Sequence, residues 1–271
     1  VIKINNIIQT YVRKRLEVKR AYPISTIVSL VITGIFNIVF PVIIYKFVFN
    51  SQVSDSFSTI TNTSNYISYI CLGALFNVIS MTIILNIGKS MMSEITEGTI
   101  QNIFMSPTSR LGYYIGCLFE QLDKLILEAL IILIVGYMIG ARFANVNLFT
   151  ILIVLLIALI AFFSMSILIS SILIFSRESY LVLNTIFVAM DFLCGVIFPV
   201  EYLHISLQWV SKLFPLTNVL GIFRGALILG NDIFMYKSDI LFVGIQSIIY
   251  IFIGIKILKK MEPKIIEQLL F

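Results

Sequence analysis

The sequence has one histidine and three cysteines, and charged residues make up only 12% of its 271 positions. A single histidine excludes a histidine-rich metal site. No H-E-x-x-H or G-x-S-x-G run offers the chemistry of a metalloprotease or a serine hydrolase. Cys71, Cys117 and Cys194 are scattered within or beside apolar runs, so neither a disulfide framework nor a zinc site is indicated, and all three read as small buried hydrophobes. An intramembrane aspartyl protease needs two facing aspartates, and Asp191 with Asp123 lacks any supporting glycine motif. The one fragment of a phosphate-binding loop, Gly88-Lys89-Ser90, has Ile83 where the first glycine must stand, so the chain carries no ATPase motif of its own. There is no internal repeat and no low-complexity linker. The matching broken helices of a secondary transporter are not visible, and that class is left with Asp191 as its proton site.

What the chain has in abundance is apolar surface. Hydrophobic residues make up 59% of the sequence and the mean hydropathy is +1.03, more than a water-soluble domain of this size could cover. Lipid forbids unsatisfied backbone, and the apolar runs are too long for barrel strands, so the sequence predicts an all-α integral membrane protein. Six spans are expected: about Ile24 to Phe49 with Pro41 inside, Tyr66 to Gly88, a third helix ending near Gly140, Leu148 to Phe175, Tyr180 to Phe198, and Ile240 to Leu258. An even number puts both termini on one side. With the termini inside, fourteen of the nineteen Lys and Arg lie on the cytoplasmic side and five (Lys46, Arg142, Lys212, Arg224, Lys237) outside, which places both termini in the cytoplasm of a cell-membrane protein. The net charge of +5 therefore reflects topology and not nucleic-acid binding.

Before the first span, Ile4, Ile7, Ile8, Tyr11, Val12 and Leu16 recur at helical spacing with Lys3, Arg13, Lys14, Lys19 and Arg20 mostly off that stripe. This is the pattern of an amphipathic helix lying in the cytoplasmic interface with its bases near anionic headgroups; a plain topogenic basic tail is the alternative. The resulting division is residues 1–22 as interfacial helix, 23–259 as the six-span domain and 260–271 as a cytoplasmic tail. Ser51 to Asn65 and Ala141 to Asn147 read as exterior connections, and Arg177-Glu178 as a tight cytoplasmic turn. Between Pro199 and Asp239 the chain is partly apolar, and Val219 to Leu229 is too short to span, so it reads as re-entrant or interfacial.

A polar island, Met91 to Gly112, interrupts the apolar segments. Ser93 to Asn102 reads either as a short helix against the cytoplasmic face or as a solvated loop, and Ser106-Pro107 suits the start of the next helix. Asp191 sits midway along the expected fifth span, where a carboxylate must face protein or water; it reads as a pathway contact, a proton site or a paired structural carboxylate at the dimer seam. Glu120, Asp123, Lys124 and Glu128 occupy the third helix, with Glu120 and Lys124 four apart on one face. His204, outside, reads as a surface residue.

The run Glu94-Ile-Thr-Glu97-Gly98-Thr99-Ile100, followed by Ser106-Pro107-Thr-Ser-Arg110, resembles the cytoplasmic signature of type-2 ABC transporter permeases. Gly195-Val-Ile-Phe198-Pro199, Phe214-Pro215-Leu-Thr217 and Arg224-Gly-Ala-Leu227 are similar to that family's fifth span and the extracellular re-entrant hairpin before its last span. His204 departs from the drug-export branch, where proline commonly follows the leucine. The resemblance implies a permease that pairs with a second copy, as homodimer or paralogous heterodimer. It also implies a separate ABC ATPase, docked through a coupling helix, that would hold ATP and Mg. On that resemblance the coupling residues are Glu94, Glu97, Gly98, Thr99, Ile100, Ser106, Pro107 and Arg110; Pro199, Pro215 and Arg224 belong to the hairpin, and Asp191 is a candidate for the pathway. The implied activity is outward movement of an amphipathic cargo, such as a drug, antibiotic, lipid or peptide, with a cell-wall glycopolymer as the alternative cargo. The permease chain itself would hold no cofactor or metal.

Overall fold

The computed structural model describes residues 4–21, 23–48, 55–61, 63, 65–105, 109–143, 146–176 and 179–270. Among them the regular elements are helices. In chain order they are α1 (Ile4–Ala21), α2 (Pro23–Ile43), α3 (Asp55–Thr61), α4 (Tyr66–Met81), α5 (Gly88–Thr96), α6 (Ile100–Met105), α7 (Arg110–Ile139), α8 (Leu148–Ser176), α9 (Ser179–Leu193), α10 (Ile205–Ser211), α11 (Pro215–Arg224) and α12 (Lys237–Leu270). π-helical stretches extend α2 over Ile44–Val48, join α4 to α5 over Thr82–Ile87 and extend α11 over Gly225–Leu229.

Four stretches are long and apolar enough to cross a membrane: Val28–Phe47, Tyr66–Thr96, Leu148–Ser176 and Ile233–Pro263. A fifth is obtained if Ile205–Ser211 and Pro215–Leu229, bent by 91°, count as one broken span. The six expected from sequence include α7 and α9, which do not meet this criterion. α7 has 30 residues but carries Arg110, Glu120, Asp123, Lys124 and Glu128. α9 has 15, short of the roughly 20 that the hydrocarbon layer needs.

Tyr66–Thr96 is the central pillar, with 83% of its most apolar stretch buried, against 22% for the first and last spans. Helices pack closely where side chains are small. Ser164, Ser166, Ser170 and Ser171 of α8 are buried, and Ser171 Oγ donates to the Gly254 carbonyl of α12 at 2.8 Å. A Cβ at Gly254 would stand 3.0 Å from the Leu168 backbone nitrogen, so glycine sets how near α12 approaches α8. Gly88 lets α5 approach Ile169 of α8 in the same way. Phe76 and Phe223, with ring centroids 4.2 Å apart, join α4 to α11.

Three boundaries differ from the sequence expectation. The helix of the second span runs on to Thr96, so the short helix of the polar island begins at Ile100 and not at Ser93. The fifth helix stops at Leu193, because Gly195 turns left-handed at φ 76°, so Asp191 lies near a helix end and not at mid-span. α12 passes residue 260 without a break, even with Pro263 inside it, so the expected tail is a continuation of the last helix. Ser106, Pro107 and the turn at Arg177-Glu178 fall outside the described residues.

Candidate functional site

The stop of α5 explains the glycine of the polar island. Gly98 adopts φ 72°, its amide donates to the Ile95 carbonyl at 3.1 Å, and the Thr99 amide donates to Glu94 O at 2.9 Å. These paired bonds form the left-handed helix stop called the Schellman motif, and they satisfy carbonyls that the helix end would otherwise orphan. Nothing lies within 4 Å of a Cβ at Gly98, so its requirement is conformational and not steric. Gly98→Val should therefore lower stability by about 1–2 kcal/mol, while Gly98→Asn should cost much less; thermal unfolding in detergent compares the two.

Glu94, one turn before that stop, is fully buried. An acid in the last turn of a helix opposes the helix dipole and calls for cations, and α1 supplies them. Arg13 Nη2 donates to Glu94 Oε2 at 2.9 Å, and Lys14 Nζ lies 2.7 Å from Oε1. Thr99 Oγ1 also donates to Oε2, and Tyr113 Oη to Oε1 at 3.3 Å. One carboxylate thus ties together α1, α5, the turn before α6, and α7. Burial pulls the Lys14 ammonium down, but the Glu94 carboxylate outweighs it and holds the group above its ordinary range.

The bases of α1 are accordingly not all turned to headgroups, as the sequence pattern predicts. Arg15 lies 3.3 Å from Asp123 of α7, which also accepts from Tyr11 Oη at 2.9 Å. The apolar residues Ile4, Ile8, Val12 and Leu16 are exposed, alongside Arg15 and Arg20. Gly116 lets the two helices close, since a Cβ there would run into Thr10. On the far side of α6, Arg110 pairs with Glu262 of α12 and donates to the Ile103 carbonyl at 3.2 Å. Ile100 is buried beneath α6, while Thr96, Glu97, Gly98 and Gln101 form an exposed rim.

Further up α7, Lys124 Nζ meets Glu120 Oε1 at 2.7 Å, the expected i,i+4 pair. Asn86 Nδ2 donates to Gln121 Oε1 at 3.0 Å, and Thr82 Oγ1 to Glu128 Oε2 at 3.1 Å. Both partners stand on the π stretch, so these polar residues bind α7 to the central pillar.

At the opposite end of that pillar stands the hairpin. Pro199 precedes a short 3-10 turn, Val200–Tyr202. Pro215 opens α11, where its missing N–H costs nothing. His204 is the N-cap of α10, its Nδ1 accepting from the Ser206 amide at 3.4 Å. Arg224 reaches back from α11: Nη1 donates to the Gly195 carbonyl at 2.7 Å, and Nη2 donates to Tyr69 O at 3.1 Å and Val196 O at 3.0 Å. The guanidinium carbon stands 3.4 Å above the Tyr69 ring. Tyr69 Oη also donates to Gly195 O at 3.1 Å, and Tyr66 Oη to Ile197 O at 3.2 Å. The carbonyls freed where α9 ends are thus capped by one arginine and two tyrosines.

Asp191 is half-buried and accepts from Asn77 Nδ2 of α4 at 2.6 Å; no cation pairs with it among the described residues. The reading of Asp191 as a paired carboxylate at a dimer seam concerns a second copy and is not tested by one chain. Sequence reasoning set Arg13 and Lys14 near headgroups and missed their pairing with Glu94, and it did not single out Tyr69 or Asn77. Only the first two had a signal, the buried acid at a helix end that needed counter-charge.

The family described as ABC-2 type transporter has a model that matches residues 8–228, which takes in α1, the Glu94 cluster, α6 and the Arg224 hairpin. No curated protein matches the chain.

Proposed function

The chain belongs to the ABC-2 type transporter family, and on that premise we propose that it is the membrane permease subunit of an ATP-driven exporter. Its six spans are then the four long ones with α7 and α9, both termini are cytoplasmic, and the hairpin faces outside. This assignment sets the fourteen-to-five charge split and the α1 cluster on the same side.

A separate ABC ATPase docks on the exposed rim at Thr96, Glu97, Gly98 and Gln101, with α6 as the coupling helix. ATP and Mg belong to that partner. A second permease copy, identical or paralogous, completes the path. The single observation that supports α6 in this role is its mounting: the left-handed stop sets it off from a spanning helix, and Glu94 and Arg110 fasten its ends to α1, α7 and α12. A push on α6 therefore reaches α1, α7 and α12 through the hydrogen bonds that join Thr99 to Glu94 and Ile103 to Arg110, and through the ion pairs that Glu94 and Arg110 make. Closure of the ATPases can shift the permease only through contacts that differ between its states, and in this reading the Glu94 and Arg110 contacts are the ones that change. The cargo is an amphipathic molecule moved outward, with Asp191 and Asn77 as polar contacts along the way.

Glu97→Lys reverses a charge on the exposed rim without touching the Glu94 cluster. It should reduce recovery of the ATPase with the tagged permease at least tenfold, while membrane insertion and permease yield stay as in the wild type. Undiminished recovery with undiminished transport would remove the docking role.

A further inference from the structure

Beneath the hairpin lies a cavity of about 470 Å³ whose lining includes Arg224, Asn218 and Lys212 together with Ile222, Ile228 and Leu229. That volume is in the range of small-molecule sites; it holds a headgroup and a few methylenes, not a whole lipid. Two donors on its lining residues, Arg224 Nε and Asn218 Nδ2, are shut off from solvent with no hydrogen-bond partner among the described residues. Arg224 also has no carboxylate at ion-pair distance among them; its other nitrogens bond only to neutral carbonyls. A buried cation without a counter-charge and a buried amide without an acceptor are both costly.

We propose that this cavity binds the phosphate group of an anionic amphiphile, with the phosphate oxygens facing Arg224 and Asn218 and the first methylenes against Ile222, Ile228 and Leu229. A phosphate offers several acceptors and a full negative charge, which match the guanidinium; the two orphaned N–H groups present no surface to the cavity and meet the phosphate when the Arg224 and Asn218 side chains turn toward it. Glu201 and Asp239 also line the cavity, but both are exposed, where water and salt screen them; the buried cation decides the sign. The proposal deepens the exporter reading and rests on it for which side the cavity faces: it gives the cargo, or a lipid that attends its release, an acidic head.

Substituting Arg224 would unfasten the hairpin, so Asn218→Leu carries the test. It removes a donor that no described protein atom satisfies, so the variant without lipid should unfold at or above the wild-type temperature. The purified permease, without any ATPase, is unfolded thermally in neutral detergent with dioleoyl phosphatidylglycerol, with dioleoylglycerol, or with inorganic phosphate. The wild type should gain about 5 °C from phosphatidylglycerol over dioleoylglycerol, and Asn218→Leu should keep less than half of that gain. An equal gain in the variant, an equal gain from dioleoylglycerol, or the whole gain from inorganic phosphate alone would overturn the proposal. Because the assay contains no motor and no ATP, its outcome is independent of whether the exporter reading stands.

Discussion

Glu94→Lys should leave almost no folded permease to purify. The side chain is fully buried and faces Arg13 at 2.9 Å and Lys14 at 2.7 Å. Removing one partner of a buried ion pair costs about 3–5 kcal/mol; here Arg13 is 39% exposed and Glu17 still meets Arg13 at 2.8 Å and Lys14 at 3.1 Å, so loss of the Glu94 charge alone falls at the lower end. A lysine does worse, adding a third cation at a fully buried position and leaving Glu17 alone to face all three. A domain holds only about 5–15 kcal/mol of net stability, so this one change takes a large share. Glu94→Gln keeps the shape and the bonds to Thr99 and Tyr113 but loses the charge, and should fall between the two. Fluorescence-detected size exclusion of the three proteins orders them; a monodisperse Glu94→Lys peak at wild-type height would show that α1 is held by something else.

The second large effect is expected at Gly73, in the middle of α4. A Cβ there would overlap the Val196 carbonyl and the Arg224 guanidinium, and neither can retreat. The carbonyl belongs to the turn held by Tyr66, Tyr69 and Arg224, and Arg224 is itself fixed by three carbonyls. Gly73→Leu forces a whole side chain into that space, beyond the roughly 1–3 kcal/mol typical of core overpacking. It should detach the hairpin from the pillar, so that a cysteine placed at Val219, fully buried on α11, becomes reactive to a thiol reagent that does not label it in the parent. Cys71, Cys117 and Cys194 are buried and are replaced first. Unchanged protection of that cysteine in Gly73→Leu would contradict the tight approach of α4 to the turn.

Much of this organisation is legible in the sequence because it is local. Apolar runs mark the spans, Gly140 marks the end of α7 with its left-handed φ of 115°, and Pro215 marks the start of α11. The Glu97-Gly98-Thr99 run locates the polar turn. What the sequence does not give are contacts between residues far apart in the chain. Arg13 and Glu94 are 81 positions apart, and periodicity says nothing about their meeting, so the bases of α1 read as membrane-facing. The same holds for Tyr69 and Arg224, 155 apart. The helix ends also escaped. Hydropathy stays high from Tyr180 to Phe198, whether the backbone is helical or extended, and only the left-handed Gly195 separates the two. At Ser93 the reverse happened: polar residues suggested the start of a separate short helix or a loop, while the spanning helix continued to Thr96 with Glu94 satisfied from outside it.

The central claim, that a separate ATPase drives this chain through α6, is tested most directly in proteoliposomes containing the permease with the ABC ATPase that co-purifies with it. The measured quantity is transfer of a fluorescent anionic amphiphile out of the ATP-facing leaflet. The account predicts transfer that requires ATP, Mg and both chains, and that is lost with Glu97→Lys in the permease. Transfer by the permease alone under an imposed proton gradient, unaffected by ATP or by Glu97→Lys, would contradict it and would identify a proton-coupled carrier instead.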